Sequence, residues 1–173
     1  MSGVLVAWAL FPLVMVVLAL GCGLLVEEAS GIEMPGVLLV PIGLAVIIVA
    51  ADLVTATAAT AQFAVGLVVA LAVAGLGLSY PFRERRCDGW AFATGIGVFA
   101  VYAAPIVMSG HATFAGYITL DDTNTWLALA DRALEHGRST DGLAPSTYQV
   151  VLNDYFSSGY PLGAFLPMGI GGS

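Results

Sequence analysis

Four apolar runs, residues 4–26, 35–54, 62–78 and 90–108, occupy most of the first two thirds of the chain. Each is near the length at which an α-helix crosses the hydrocarbon core, about 20 residues. The linkers 27–34, 55–61 and 79–89 are short, so neighbouring helices run antiparallel. The pattern predicts an all-α, polytopic transmembrane protein. Composition agrees: 59 % of residues are hydrophobic, only 10 % are charged and the mean hydropathy is +0.94. A soluble domain has about 25 % charged residues. With so few, the bilayer must solvate much of this surface.

Charge excludes two classes of partner. There is no lysine, the five basic residues are all arginine, and the formal net charge is −7. No basic patch exists to neutralise nucleic-acid phosphates, nor a polybasic segment to hold anionic lipid. The Ala, Gly and Val bias resembles high-GC bacterial composition. Cys22 lies inside an apolar run and Cys87 in an arginine-rich loop, depths at which a disulfide is not expected. Leu18-Ala-Leu-Gly-Cys22 superficially resembles a lipoprotein cleavage box, but no Lys or Arg precedes the run. A signal needs a basic n-region, so a first transmembrane helix packed through Gly21-Cys22-Gly23 is the expectation.

Orientation rests on Arg83, Arg85 and Arg86, all in the loop between the third and fourth runs. The positive-inside rule places that loop in the cytoplasm. Residues 109–159 then emerge outside a bacterial plasma membrane, on the same side as the 55–61 linker. Asp52 lies near the outer end of the second run, followed by Thr55, Thr57 and Thr60. An intramembrane acid is a functional candidate by default, but this one is placed to reach water.

The texture changes from Ser109 onward, where six acids, two arginines and both histidines appear. Trp126, Leu127, Ala130, Ala133 and Leu134 fall on one helical face, and Asp131, Arg132, Glu135 and His136 on the other. This is an amphipathic helix. Gly137 is placed to end it, and its Trp/Leu face suits a membrane surface. A second helix is expected over 145–156, with Pro145 near its first turn. The apolar run from Tyr160 is about 13 residues long and holds Pro161 and Pro167. It is too short to span. It reads as the entry to a further helix, so that the chain would continue past Ser173, or as a re-entrant hairpin. The organisation expected is a membrane region over 1–108, an external loop over 109–159 and a further membrane segment from 160.

Asp121 and Asp122 are the sharpest chemical feature. A carboxylate just outside the membrane can serve as general base toward a hydroxyl or hold a divalent cation. Asp is also a favoured N-cap, and acids in a first turn complement the helix dipole. Between the two, Asp121 is the candidate for chemistry and Asp122, nearer the helix start, for capping. Arg132 and Arg138 have the planar guanidinium that suits phosphate, although Arg132 is also spaced to pair with Asp131 or Glu135. Tyr148, Tyr155 and Tyr160 could line a sugar site or simply pack. His111 and His136 lack zinc-ligand spacing and read as surface residues. No Gly-x-Ser-x-Gly, phosphate-binding Gly-rich loop, His-Glu-x-x-His or Cys-pair motif is present.

The order runs from a helix leaving the membrane to Tyr117, Asp121-Asp122-Thr-Asn-Thr-Trp126, a flat amphipathic helix, Gly142-Leu-Ala-Pro-Ser-Thr-Tyr148 and Gly159-Tyr-Pro-Leu-Gly163. It resembles the first large external loop of the C-type fold of membrane glycosyltransferases, and is similar to actinobacterial polytopic proteins of that kind. That superfamily includes protein mannosyltransferases, arabinosyltransferases and oligosaccharyltransferases. The likeness covers residues 117–169. Familiar members place this loop after the first helix, whereas four runs precede it here. The resemblance implies sugar transfer outside the membrane, with Asp121 or Asp122 serving the active site and Arg132, Arg138 and Tyr160 near substrate. The donor would be a polyprenyl-phosphate sugar, since nucleotide sugars are cytoplasmic. The alternative is a non-catalytic membrane subunit or transporter component.

Overall fold

The computed structural model describes residues 9–79, 89–109 and 121–170. Within the helices, the description covers the backbone alone at residues 91, 102, 103, 105–109 and 121–123. The Arg83, Arg85 and Arg86 loop, Cys87, His111 and Tyr117 lie outside the described residues. The described residues are helical and contain no strand. In order they form α1 (Phe11–Ser30), α2 (Gly36–Thr55), α3 (Ala58–Ala61), α4 (Ala64–Leu78), α5 (Gly89–Ser109), α6 (Asp121–His136), α7 (Thr147–Ser157) and α8 (Leu166–Ile170).

Each of the four apolar runs coincides with a helix. The 20-residue helices α1 and α2 are long and apolar enough to cross a membrane. At a rise of about 1.5 Å per residue, α4 covers only about 22 Å; it has 15 residues. The short turn α3 and a break at Gln62-Phe63 separate it from α2. α1 runs past Val26 to Ser30, carrying Glu27 and Glu28 inside the helix, and stops at Gly31 (φ 66°). The Gly31 N–H donates to the Glu27 carbonyl at 3.0 Å, a left-handed closure that glycine adopts without steric penalty.

α1 packs along both α2 and α4. Glycine permits this on both sides. A Cβ on Gly21 would meet the backbone of Ala72 in α4, and one on Gly23 the backbone of Leu39 in α2. In return, a Cβ on Gly43 or Gly75 would strike the backbone of α1. Small residues at the seam bring helix backbones close, which favours association where burial from water supplies little drive. Cys22, at 0 % exposure, lies in the same seam with its Sγ 4.0 Å from the Val68 carbonyl. Leu24, Leu39, Ile47 and Val68 are buried, but many other large apolar side chains are not: Leu53 is 69 % exposed, Val73 62 % and Trp90 84 %.

α6, α7 and α8 form a cap on this bundle. α6 packs on α3, α2 and α8, and α8 also packs on α2. One core joins cap to bundle, with Leu129, Ala130, Ala133, Leu152, Leu162 and Leu166 of the cap continuous with Ile47 and Ala51 of α2. The cap and the 55–63 corner therefore lie at the same end of the bundle. The second cap helix begins two residues later than expected, because Ser146 caps it by accepting from the Gln149 N–H at 3.2 Å. The run from Tyr160 folds into a loop and the five-residue helix α8, with Leu166, Pro167 and Ile170 buried.

Candidate functional site

α6 carries the candidate acids. It begins at Asp121, so Asp121 and Asp122 both occupy its first turn. By helical register, Asp122 continues the stripe of Trp126, Leu129 and Ala133, the face that packs inward. Asp121 lies in register with Ala128 and Arg132 at the margin of that face. The positions of their carboxyl groups lie outside the described side chains, as does the choice between capping and chemistry.

The two arginines are engaged within the chain. Arg132 was expected on the polar face, yet it is only 8 % exposed. Its Nε donates to the Ser139 carbonyl and its terminal nitrogen to the Asp141 carbonyl, both at 2.9 Å. The buried guanidinium is tolerated because carbonyls after the helix end satisfy it. Arg132 thus clamps the loop following α6 in place of the anticipated partners Asp131 and Glu135. Ser139 Oγ donates to an Asp141 carboxylate oxygen at 2.9 Å and accepts from the Asp141 N–H at 3.1 Å, which tightens the same loop.

Arg138 reaches across to the bundle. One terminal nitrogen donates to Asp52 Oδ1 at 2.8 Å, an ion pair in which Arg138 is 25 % and Asp52 39 % exposed. The Arg138 Nε is sealed from solvent with no hydrogen-bond partner among the described residues. Gly137 makes this reach possible. Its left-handed φ of 63° ends α6, with its N–H donating to the Ala133 carbonyl at 3.0 Å. A Cβ there would lie 2.6 Å from Thr57 C and Ala58 N, so only glycine fits against the α3 corner. Asp52, placed by sequence at a water-reaching helix end, is 39 % exposed and also ties the cap to the bundle. Sequence reasoning missed this pair; the signal available was one arginine just past a helix C-terminus and one acid at a span end.

Tyr160 belongs to an aromatic cluster centred on Trp126. Trp126 stacks on Tyr160 (centroids 5.0 Å, 17°) and on Phe165 (4.7 Å, 3°), and meets Tyr155 edge-on at 5.3 Å. Tyr155 and Tyr160 are themselves perpendicular at 5.2 Å. These geometries are the preferred ones for aromatic pairs. The ring contacts are spent joining α6, α7 and the loop before α8; Tyr148 stays exposed and outside the cluster.

Arg132, Arg138 and Tyr160 are therefore brought into one cap, each with a partner from the chain itself. His136 is exposed, with Nδ1 3.6 Å from a Glu135 oxygen. Among the described residues, no group of three His, Cys, Asp or Glu side chains is gathered as a metal site would require. A shallow cavity of about 320 Å³ lies between α6 and α8, lined by Leu127, Ala128, Ala130, Asp131, Met168 and Gly169. No family model matches the chain, and neither curated proteins nor solved structures provide a relative.

Proposed function

We propose that this chain is a multi-pass protein of a bacterial plasma membrane and serves as a non-catalytic component of a membrane assembly. In this reading its 121–170 cap is seated outside the bilayer. The supporting observation is the extent of exposed apolar surface. Glycine and alanine let α1, α2 and α4 approach closely, yet Leu13, Val49, Leu53 and Val73 on these helices stay exposed, as do Trp90, Phe92 and Val101 on α5. Exposed apolar surface on this scale marks contact with lipid or with other helices. The cap fits a structural role because three of its candidate binding residues are occupied internally.

Membrane insertion and sidedness are tested together in intact cells. An impermeant thiol reagent should modify Ser139→Cys and spare native Cys87; modification of Cys87 would reverse the orientation. The second reading is sugar transfer from a polyprenyl-phosphate donor, favoured by the start of α6 at Asp121, so that two acids share its first turn. Membranes bearing the full chain are given that donor and an acceptor. Transfer that disappears in Asp121→Asn or Asp122→Asn would replace the assembly reading with the enzymatic one.

A further inference from the structure

We propose that the groove between α6 and α8 is a docking site for a segment of a partner protein that presents one apolar side chain with an arginine or lysine about one helical turn away. The proposal deepens the assembly reading and rests on it. Two observations meet at this place. The first is shape: the groove holds about 320 Å³, and its walls include Leu127 and Met168, which remain 49 % and 51 % exposed. Leu129 and Ala133, which do not line the groove, are sealed in the core. Ala128 and Gly169 add little side-chain bulk to the lining, so an incoming side chain can sit between the two larger ones. Methionine suits such a wall because its unbranched thioether adapts to the shape it meets.

The second observation is charge. Asp131 stands on the groove itself, and Glu135, Asp141 and Asp154 are exposed elsewhere on the cap. The cap's two arginines do not balance them at the surface, because Arg132 is buried on loop carbonyls and Arg138 is held by Asp52. The described surface of the cap thus offers negative charge around an apolar slot. That combination attracts a cationic partner and repels phosphate headgroups. A second copy of the cap is a poor match for the same reason, since it would bring the same uncompensated acids.

The test uses the full chain in phosphatidylcholine nanodiscs. The probe is a short fluorescent helical peptide of alanine and glutamine carrying one leucine and, a turn further on, one arginine. Binding is read by anisotropy against a control peptide with glutamate for the arginine. The wild-type chain should bind the arginine peptide and not the glutamate peptide. Asp131→Asn should weaken binding about twofold to fivefold, the worth of one exposed charge pair. Met168→Glu should weaken it about tenfold or more, as loss of a central apolar contact does. Val150→Glu, a charge added on the exposed face of α7, should change it little. Equal binding of both peptides, equal retention by empty nanodiscs, or a Met168→Glu variant that binds as wild type would each overturn the proposal. Sugar transfer by the full chain would overturn the assembly reading and leave these binding results standing as measured, so the two failures are separable.

Discussion

Alanine at Gly75 and at Gly66 should change stability in opposite directions, although both positions lie on α4. A Cβ at Gly75 would lie 2.7 Å from Leu25 N and 2.9 Å from Gly21 C, and closer still to the Gly21 carbonyl oxygen. All three are backbone atoms of α1, so no side-chain rotation can relieve the overlap. Because the Gly21 oxygen is the nearest of the three, restoring ordinary contact requires the helices to part by about 1 Å or more, and a gap of about 0.5–1 Å already forfeits roughly a quarter to a half of the dispersion energy of each atom pair. The expected cost is about 1–3 kcal/mol, the usual range for overpacking. At Gly66 nothing lies within 4 Å of the new atom. There the substitution only restricts the unfolded chain, a gain of about 0.4–1 kcal/mol. The assay is unfolding of the full chain in micelles by a denaturing detergent, followed by far-UV circular dichroism. The two variants should straddle the wild type and differ by roughly 1.5–4 kcal/mol, combining these ranges. If Gly75→Ala proves as stable as Gly66→Ala, the close approach of α1 and α4 is wrong, and with it the account of how small residues pack this bundle.

Trp126→Ala should destabilise the cap by about 3–5 kcal/mol, seen as faster hydrogen exchange across α6 and α7 with α1 and α2 little changed. Exchanging the charges, Asp52→Arg with Arg138→Asp, should recover the cap protection that either single change loses; the recoverable part is about 0.2–1 kcal/mol because Asp52 is 39 % exposed, and no recovery would mean that the pair is not what joins them. Arg132→Met should raise exchange at residues 139–141 selectively, since two carbonyl bonds go with the guanidinium; uniform loss of protection would instead assign Arg132 a core role. Asp121→Asn and Asp122→Asn should leave folding intact, because Asn retains most of a cap, and tryptophan fluorescence at Trp126 reports whether the first turn of α6 has shifted.

The bundle was legible because its information is local. Apolar length and short linkers name the helices, and each run found its helix with ends shifted by a few residues where charge was tolerated, as at Glu27 and Glu28 in α1. The amphipathic stripe of α6 was legible for the same reason, along with its termination at Gly137. Its inward face differs from the expectation at two positions: Leu127, expected inward, is half exposed, and Arg132, expected outward, is buried. Periodicity ranks positions by angle alone, and it cannot see that two carbonyls wait beyond the helix end to receive a guanidinium. The aromatic cluster was equally hidden, since Trp126, Tyr155, Tyr160 and Phe165 come from three separate segments.

The arginines are engaged within the chain for a physical reason that also narrows the search. Guanidinium donors serve a phosphate, a carboxylate or a backbone carbonyl with nearly the same geometry. Residue type therefore states what an arginine can hold, while the fold decides what it does hold. Arg138 finds its partner 86 positions away in the chain, a separation no spacing rule reaches. With Arg132, Arg138 and Tyr160 engaged in fastening the cap, the acids at the start of α6 are the candidates left from that set. Those two acids differ by about 100° around the helix axis, since 3.6 residues make a turn. Only Asp122 shares the register of the inward stripe. A carboxylate tied to packing and one free to meet a substrate should respond differently to Asn, and that difference decides between the enzyme and the assembly component without reference to any likeness of sequence.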